Sequence, residues 1–368
     1  MITDKQSLMT MPFSTMVVDA LLEKEIEIDD LIINNIITLE QHWRKVEFEL
    51  KFEITNNCNL NCEFCFQKFG RPQKKVEYFC LSKFQNIINL AKEEKQIKWI
   101  RITGGEPMLH PDCLSFLECA KNAGMRTILN TNGTLLNTKI LKEYKSFVDI
   151  WKISLPSYDV DNMDDITGRK NTWSDKINAL ELLKQENAVV DILVVLCHNN
   201  ILHLDDFISI NKQYSKFFMT FLRQESNVIH RTPLTNDDLR RLVNYMINED
   251  REIGLAIPFC ALPVSEHLDK IARGRIECGP WSSLVVNDDG RVRHCYSRHK
   301  LYPLRENYKV TAIALAVEDF ASLPEICLRC KWGARCLGGC RSPLAMVKSS
   351  KGQFIDYLID FNNISLFS

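Results

Sequence analysis

No stretch of this 368-residue chain approaches the roughly 18 consecutive apolar residues of a membrane span. The first residues, Met1-Ile-Thr-Asp-Lys, lack a basic segment followed by an apolar one, so no secretory signal is legible and the expected location is the cytoplasm. An excess of one charge is also missing: Lys plus Arg number 46 and Asp plus Glu 47, a net of −1. That balance gives no non-specific attraction to nucleic acid or to a membrane surface. There is no internal repeat of fixed period, no low-complexity tract and no long disordered linker. With 45% hydrophobic and 25% charged residues the composition is that of a globular protein, and its length suggests a large domain plus a smaller one.

What the chain has in excess is cysteine, 14 in all. A disulfide framework belongs to short secreted domains. Without an export signal, clustered Cys-x2-Cys spacings point instead to metal or iron–sulfur binding, with zinc the alternative for any single cluster.

The hydrophobic pattern alternates between strand and helix periods. Strands are predicted at Val46 to Ile54, Ile97 to Thr103, Met125 to Asn130, Val148 to Leu155, Ala188 to Leu196 and Phe217 to Arg223. Helices are predicted at Leu81 to Lys95, Cys113 to Ala123, Trp173 to Gln185, Leu204 to Tyr214 and Thr235 to Glu252, the last with Thr235 as N-cap. The N-terminal extension, residues 1–46, reads as partly helical (Val17 to Leu22, then Ile26 to Ile37) and carries no motif. Six strand–helix units argue for an α/β fold with a partial (β/α)6 barrel, short of the eightfold TIM form. After Gly254 the texture changes to cysteines, turns and short strands, with a hairpin signal centred on Asp289-Gly290.

Three sequence features carry chemistry. Cys58, Cys62 and Cys65 follow the first strand as Cys-x3-Cys-x2-Cys, with Phe64 before the last cysteine. Three thiolates on one tight loop can hold three irons of a cube and leave the fourth open, although half of a zinc site has the same look. Thr103-Gly104-Gly105-Glu106-Pro107 follows the second strand; its glycines permit close backbone approach to a ligand, and its carboxylate can face a cationic amine. An ordinary turn is the bland alternative. Thirdly, Cys278, Gly290 and Cys295 precede Cys327-x2-Cys330-x5-Cys336-x3-Cys340.

The first two motifs, one strand–helix unit apart, resemble the signature of the radical S-adenosylmethionine (radical SAM) enzymes over about residues 47–225. The third resembles the SPASM auxiliary-cluster module over about residues 278–340. The resemblance implies a domain order of 47–255 for the radical SAM barrel, 256–345 for the SPASM region and 346–368 for a tail. It implies a 4Fe–4S cluster on Cys58, Cys62 and Cys65, and S-adenosylmethionine held near Phe64 and Gly104 to Pro107. Asn130, Asn132 and Ser154 would contact the cofactor or shape its pocket. Arg169 would pair with the methionine carboxylate, or be a solvated loop arginine.

Auxiliary cluster I would use Cys278, Cys295 and Cys340, with Cys260 as a further ligand. Cys260 has two other readings, a hydrogen-atom donor to a substrate radical or a packed core cysteine. Auxiliary cluster II would use Cys327, Cys330 and Cys336. It lacks a fourth thiolate, because no cysteine follows Cys340. Asp356, Asp360, water or substrate would fill that position, or the cluster would be absent. Cys80, Cys113, Cys119 and Cys197 lack ligand spacing and read as core or incidental. The basic run Arg291, Arg293, His294, Arg298, His299 and Lys300 reads first as a solvated hairpin face. It would otherwise stabilise an anionic cluster or attract an acidic peptide.

The resemblance implies reductive cleavage of S-adenosylmethionine, hydrogen-atom abstraction from a substrate and a reductant such as flavodoxin or ferredoxin. Peptide modification (crosslinking, epimerisation or oxidation) is the leading expectation. Oxidation or epimerisation of a small aminosugar-like metabolite is the alternative, and a non-catalytic iron–sulfur or zinc protein a third. Tyr296 stands where sulfatase-maturing relatives place an aspartate, which weakens that subtype. The residues before Val46 leave little room for a separate leader-binding domain.

Overall fold

The computed structural model describes residues 12–65, 75–158, 160–196, 198–214, 220–223, 235–249, 253–254, 260, 272–273, 279–296, 298, 300–339, 346–348 and 354–356. Two helices open the chain, α1 (Pro12–Leu22) and α2 (Asp30–Lys45). Asp29 caps α2 by accepting the Ile32 N–H at 2.9 Å, which is why this helix begins at Asp30 and not at Ile26 as the apolar pattern suggested.

The alternating strand–helix units then appear: β1 (Phe48–Thr55), α3 (Leu81–Ala91), β2 (Ile97–Gly104), α4 (Cys113–Asn122), β3 (Arg126–Thr131), α5 (Thr138–Tyr144), a helix the periodicity did not indicate, and β4 (Ile150–Ser154). They continue through α6 (Val160–Thr167), α7 (Thr172–Gln185), β5 (Val190–Leu196), α8 (His198–Ile201), α9 (Leu204–Tyr214), β6 (Thr220–Arg223) and α10 (Asn236–Glu249). Thr235 and Asp238 cap α10 reciprocally: Asp238 N–H donates to the Thr235 hydroxyl, and Thr235 N–H to the Asp238 carboxylate.

After the paired β7 (Ile253–Gly254) and β8 (Ala272–Arg273) come β9 (Ser283–Val286) and β10 (Val292–Arg293). The chain then forms α11 (Tyr308–Ala321), α12 (Glu325–Leu328), α13 (Gly333–Cys336), β11 (Met346–Lys348) and β12 (Phe354–Asp356). The 14-residue α11 was not legible in a region read as turns and short strands. Its cap, Asn307 accepting the Val310 N–H, was the available signal.

β1 to β6 run parallel in chain order, the arrangement of a barrel opened along one side. The hairpin forms where expected, with Gly290 at φ +81°, but it does not stand apart. β9 pairs parallel with β1, from Glu49 opposite Ser283 to Phe52 opposite Val286, so the sheet continues into the C-terminal region and has eight strands.

Alternation along β1 buries Phe48, Leu50, Phe52 and Ile54 against the helices. The opposite face is charged. Glu49 is bound by Arg101 of β2 at 2.5 Å, Lys152 of β4 faces its register partner Asp191 of β5 at 2.6 Å, and Arg293 reaches Glu53. A parallel sheet covered on both faces reads as continuous apolar runs. This one lines its interior with paired charges instead.

Candidate active site

The cysteine loop leaves the C-terminal end of β1. The end of β2 holds its base by close backbone approach. Gly105 N–H donates to Thr55 O, and Glu106 N–H to Asn57 O, both at 2.7 Å. A Cβ on Gly104 would stand 2.3 Å from Thr55 O, and one on Gly105 would stand 2.2 Å from Asn57 O. Gly104 also sits at φ +146°, open only to glycine. The close approach expected of these glycines is therefore made to the cysteine loop itself.

The other side of the loop docks on the end of α6, where Asn61 and Glu63 donate their N–H groups to Thr167 O and Ile166 O. Cys62 lies between those two anchors, half-buried like Phe64 and Cys65, while Cys58 is exposed as a residue. The Leu60 N–H points at Cys58 Sγ (3.4 Å), and the Asn132 amide lies 3.9 Å from it. Loss of water around the sulfur raises the Cys58 pKa above its ordinary value, and the charges of Glu106 and Cys65 add to that; these two donors oppose it.

The Glu106 carboxylate is fully enclosed. It accepts from Thr131 Oγ1 (2.8 Å), Asn132 N–H (2.7 Å) and Met108 N–H (3.2 Å). Burial pushes its pKa up, and those donors hold it down. Glu106 therefore pins the end of β3 to the Pro107–Leu109 turn, whose first residue, Pro107, is buried. The Asn132 side chain is likewise occupied, with Asn59 of the cysteine loop (2.9 Å) and Thr134 (2.9 Å).

Lys176, on the buried stripe of α7 (Thr172, Lys176, Ala179, Leu180, Leu183), escaped the sequence reading. A lysine in phase with an apolar stripe was the signal available. Its ammonium donates to Asn132 O at 2.5 Å and to Ser154 O at 2.7 Å. Burial lowers its pKa to about 8 against the pull of Cys62, Glu106 and Cys58, while Arg169 adds to the lowering.

Two buried polar atoms close to these segments have no hydrogen-bond partner among the described residues: Asn130 Oδ1, an acceptor, and Arg169 Nη1, a donor. Arg169 places its other terminal nitrogen on Asp175 at 2.8 Å, in an ion pair whose arginine side chain is 37% exposed. An orphaned acceptor and an orphaned donor suit a zwitterionic amino-acid ligand. Three thiols on one loop are a donor set that suits three irons of a cube and leaves the fourth open.

The second cysteine group is built around the N-terminal helix. Cys327, Cys330 and Cys336 are buried on α12, α13 and the turn between them. Asn35 of α2 donates to Leu328 O and Cys330 O and accepts the Ala334 N–H, all at 2.9 Å. A Cβ on Gly333 would meet Asn35 Nδ2 and Cys327 O at 2.7 Å. Arg329 adds an ion pair to Asp29 and a bond to Glu27 O. The Trp332 N–H points at Cys330 Sγ (3.4 Å), while burial pushes that thiol up to about 11. Residues 1–46 carry no motif in sequence, yet α2 supplies the clamp on this loop.

Cys260 is buried at 6% exposure within the apolar core, and Cys295 is half-buried just after β10. Cys278, Cys340, Cys197, His299 and Asp360 lie outside the described residues, and Asp356 ends β12. Cys113 is core, pushed up to about 12 by burial; Cys119 is half-buried and Cys80 exposed at the start of α3.

The basic run does not form one solvated face. Arg293 pairs with Glu53, Arg298 with Asp319 (2.7 Å) and Arg291 with Asp289. His294 is enclosed and held neutral by burial, at about 4. Each described arginine is thus matched by a carboxylate, which leaves little net charge to attract an acidic peptide.

Residues 52–209 match the model of the Radical SAM superfamily. The chain carries a radical SAM domain. The radical SAM family uses a 4Fe–4S cluster and S-adenosylmethionine, and the matched span holds the cysteine loop, Gly104 to Pro107, Arg169 and Lys176. Among curated proteins the chain is 24% identical to the antilisterial bacteriocin subtilosin biosynthesis protein AlbA of Bacillus subtilis, over 66% of this chain and 54% of AlbA. It is 31% identical over 37% of its length to an S-adenosylmethionine-dependent nucleotide dehydratase of Lacinutrix mariniflava, covering 30% of that protein. The chain spans about half or less of the length of these curated relatives.

In fold it is similar to Streptococcus suis SuiB, solved bound to S-adenosylmethionine, with a TM-score of 0.64 and 16% identity over 88% of this chain and 80% of that one. It is also similar to anSMEcpe, solved with bound AdoMet and Cp18Cys peptide, with a TM-score of 0.62 and 18% identity over 87% of this chain and 96% of that one. Both likenesses extend well beyond the span matched by the superfamily model. No helix among the described residues is long and apolar enough to cross a membrane.

Proposed function

We propose that this chain is a radical SAM/SPASM enzyme that modifies a peptide. The observation that carries the reading is the likeness of the barrel and C-terminal region together to SuiB and anSMEcpe, each solved with a peptide. AlbA, by its name, acts in bacteriocin biosynthesis.

In this reading Cys58, Cys62 and Cys65 hold the 4Fe–4S cluster, and the segments ending β2, β3 and β4 hold S-adenosylmethionine. Bound there, the two would supply one-electron chemistry for taking a hydrogen atom from the substrate. The residues supply position and exclusion. Gly104 and Gly105 weld the cysteine loop to β2, Glu106 fixes β3 against it, and Asn130 Oδ1 and Arg169 Nη1 offer an acceptor and a donor to the amino-acid end of the cofactor. The charges inside the sheet (Lys51 and Arg101 on Glu49, Lys152 on Asp191, Arg293 on Glu53) present fixed dipoles to a polar substrate. Cys327, Cys330 and Cys336 hold one auxiliary cluster, and Cys278, Cys295 and Cys340 another, with Cys260 as a ligand or hydrogen-atom donor. A flavodoxin- or ferredoxin-type reductant supplies the electron.

The test is anaerobic reconstitution with iron and sulfide, then incubation with dithionite and S-adenosylmethionine. The reading expects 5′-deoxyadenosine and about 8 to 12 irons per chain for two or three cubes. Iron-loaded protein that releases no 5′-deoxyadenosine would refute it. Peptides encoded beside the gene, assayed by mass change, test the substrate class.

A further inference from the structure

Lys176 is a charged group to which the cofactor chemistry assigns no role. It is 1% exposed, and it sits on the stripe that α7 turns toward the sheet. Burying an ammonium is costly unless its hydrogens find acceptors. Here two of them do: Asn132 O beyond the end of β3 and Ser154 O at the end of β4.

Asn132 is gripped from both sides. Its N–H is taken by the buried carboxylate of Glu106 and its carbonyl by the buried ammonium of Lys176, so one residue's backbone bridges two enclosed, opposite charges. The same side chain of Asn132 reaches Asn59 and approaches Cys58 Sγ. Nearby, a Cβ on Gly133 would already touch Ile153 and Ala179, which shows how closely this turn is pressed onto β4 and α7. Among its neighbours, Cys62 exerts the largest pull toward the charged form of Lys176, with Glu106 and Cys58 behind it.

We infer that Lys176 is a positioning residue of the radical SAM site: its ammonium fixes the Asn132 and Ser154 carbonyl segments that hold the cofactor, and its buried charge beside Cys58 and Cys62 favours the reduced cluster. Reduction adds one negative charge to the cluster, and a fixed cation in a poorly solvated surrounding stabilises that state. Lys176 acts through the two carbonyls it donates to and through its field.

This rests on the radical-generating reading of the cysteine loop. The wild-type holoenzyme therefore serves as the control: release of 5′-deoxyadenosine tests that reading separately. Lys176→Met removes the charge and both donated hydrogen bonds at similar volume, and Lys176→Gln removes the charge but keeps a donating amide NH2 on a shorter side chain. Each variant is loaded anaerobically. Iron is counted, the midpoint potential of the signal that changes on adding S-adenosylmethionine is titrated by EPR, and the affinity for S-adenosylmethionine is measured.

Lys176→Met is expected to load iron, to show a lower midpoint potential than wild type, and to bind S-adenosylmethionine about tenfold more weakly. Lys176→Gln is expected to show the same fall in potential with a smaller loss of affinity, and it decides the matter if the Met variant does not load. A folded, iron-loaded variant with the wild-type potential, or with the wild-type affinity in Lys176→Met, overturns the inference.

Discussion

Removing the Asn35 side chain isolates the link between the N-terminal helix and the second cysteine group. In Asn35→Ala the carbonyl of Leu328 and the N–H of Ala334 lose their partner at once, while Cys330 O keeps the Gly333 N–H at 2.8 Å. A buried polar group left without a partner costs about 1 to 3 kcal/mol, so two cost at least about 2 kcal/mol. That is a large share of the roughly 5 to 15 kcal/mol that holds a domain folded. The loss falls on the loop that presents Cys327, Cys330 and Cys336. Urea unfolding at pH 7 should therefore show a stability loss of about 2 kcal/mol, and reconstituted protein should lose about four irons per chain. Release of 5′-deoxyadenosine should continue, because the clamp lies on the C-terminal loop and not on the Cys58 loop. Asn35→Asp sharpens the test: it keeps the acceptor for Ala334 but sets a carboxylate against two carbonyls, so it should be no better than Ala. A loss below about 1 kcal/mol in Asn35→Ala, with full iron content, would refute the clamp.

Gly105→Ala places a methyl 2.2 Å from Asn57 O, so the cysteine loop must move; 5′-deoxyadenosine yield should fall at least about tenfold while the fold, followed by circular dichroism, persists. Glu106→Gln turns an amide toward donors that now meet a carboxylate, and thermal unfolding should show a loss of about 2 kcal/mol. The His294 ring, lowered from 6.5 to about 4 by burial, binds fewer protons in the folded than in the unfolded chain between those values. Its contribution is thus complete above pH 6.5 and lost as pH falls through about 4, which at about 1.36 kcal/mol per unit comes to about 3 kcal/mol. His294→Phe, which keeps a ring against Tyr302, should flatten the urea-unfolding free energy over that window; an unchanged slope would contradict it.

The parts of the protein legible in sequence are those governed by short-range rules. The Cys58-x3-Cys62-x2-Cys65 spacing, the glycine pair, the period-2 alternation of β1 and the Asp289-Gly290 turn all depend on residues a few positions apart. A carboxylate at Glu106 was also visible, but the direction it faces was not, because the Thr131 and Asn132 donors come from a different strand.

Tertiary structure alone decided the rest. It laid β9 beside β1, turning an apparent change of architecture after Gly254 into a continuation of one sheet. It matched Arg293 to Glu53 across the chain, so a run of basic residues ceased to be a basic face. It brought Asn35 onto a loop about 300 positions away and buried Lys176 between the ends of β3 and β4. The physical reason is common to all four. A hydrogen bond or ion pair between distant segments leaves no period in the sequence, because its partner is chosen by packing, and packing is settled only when the whole sheet has closed around its core.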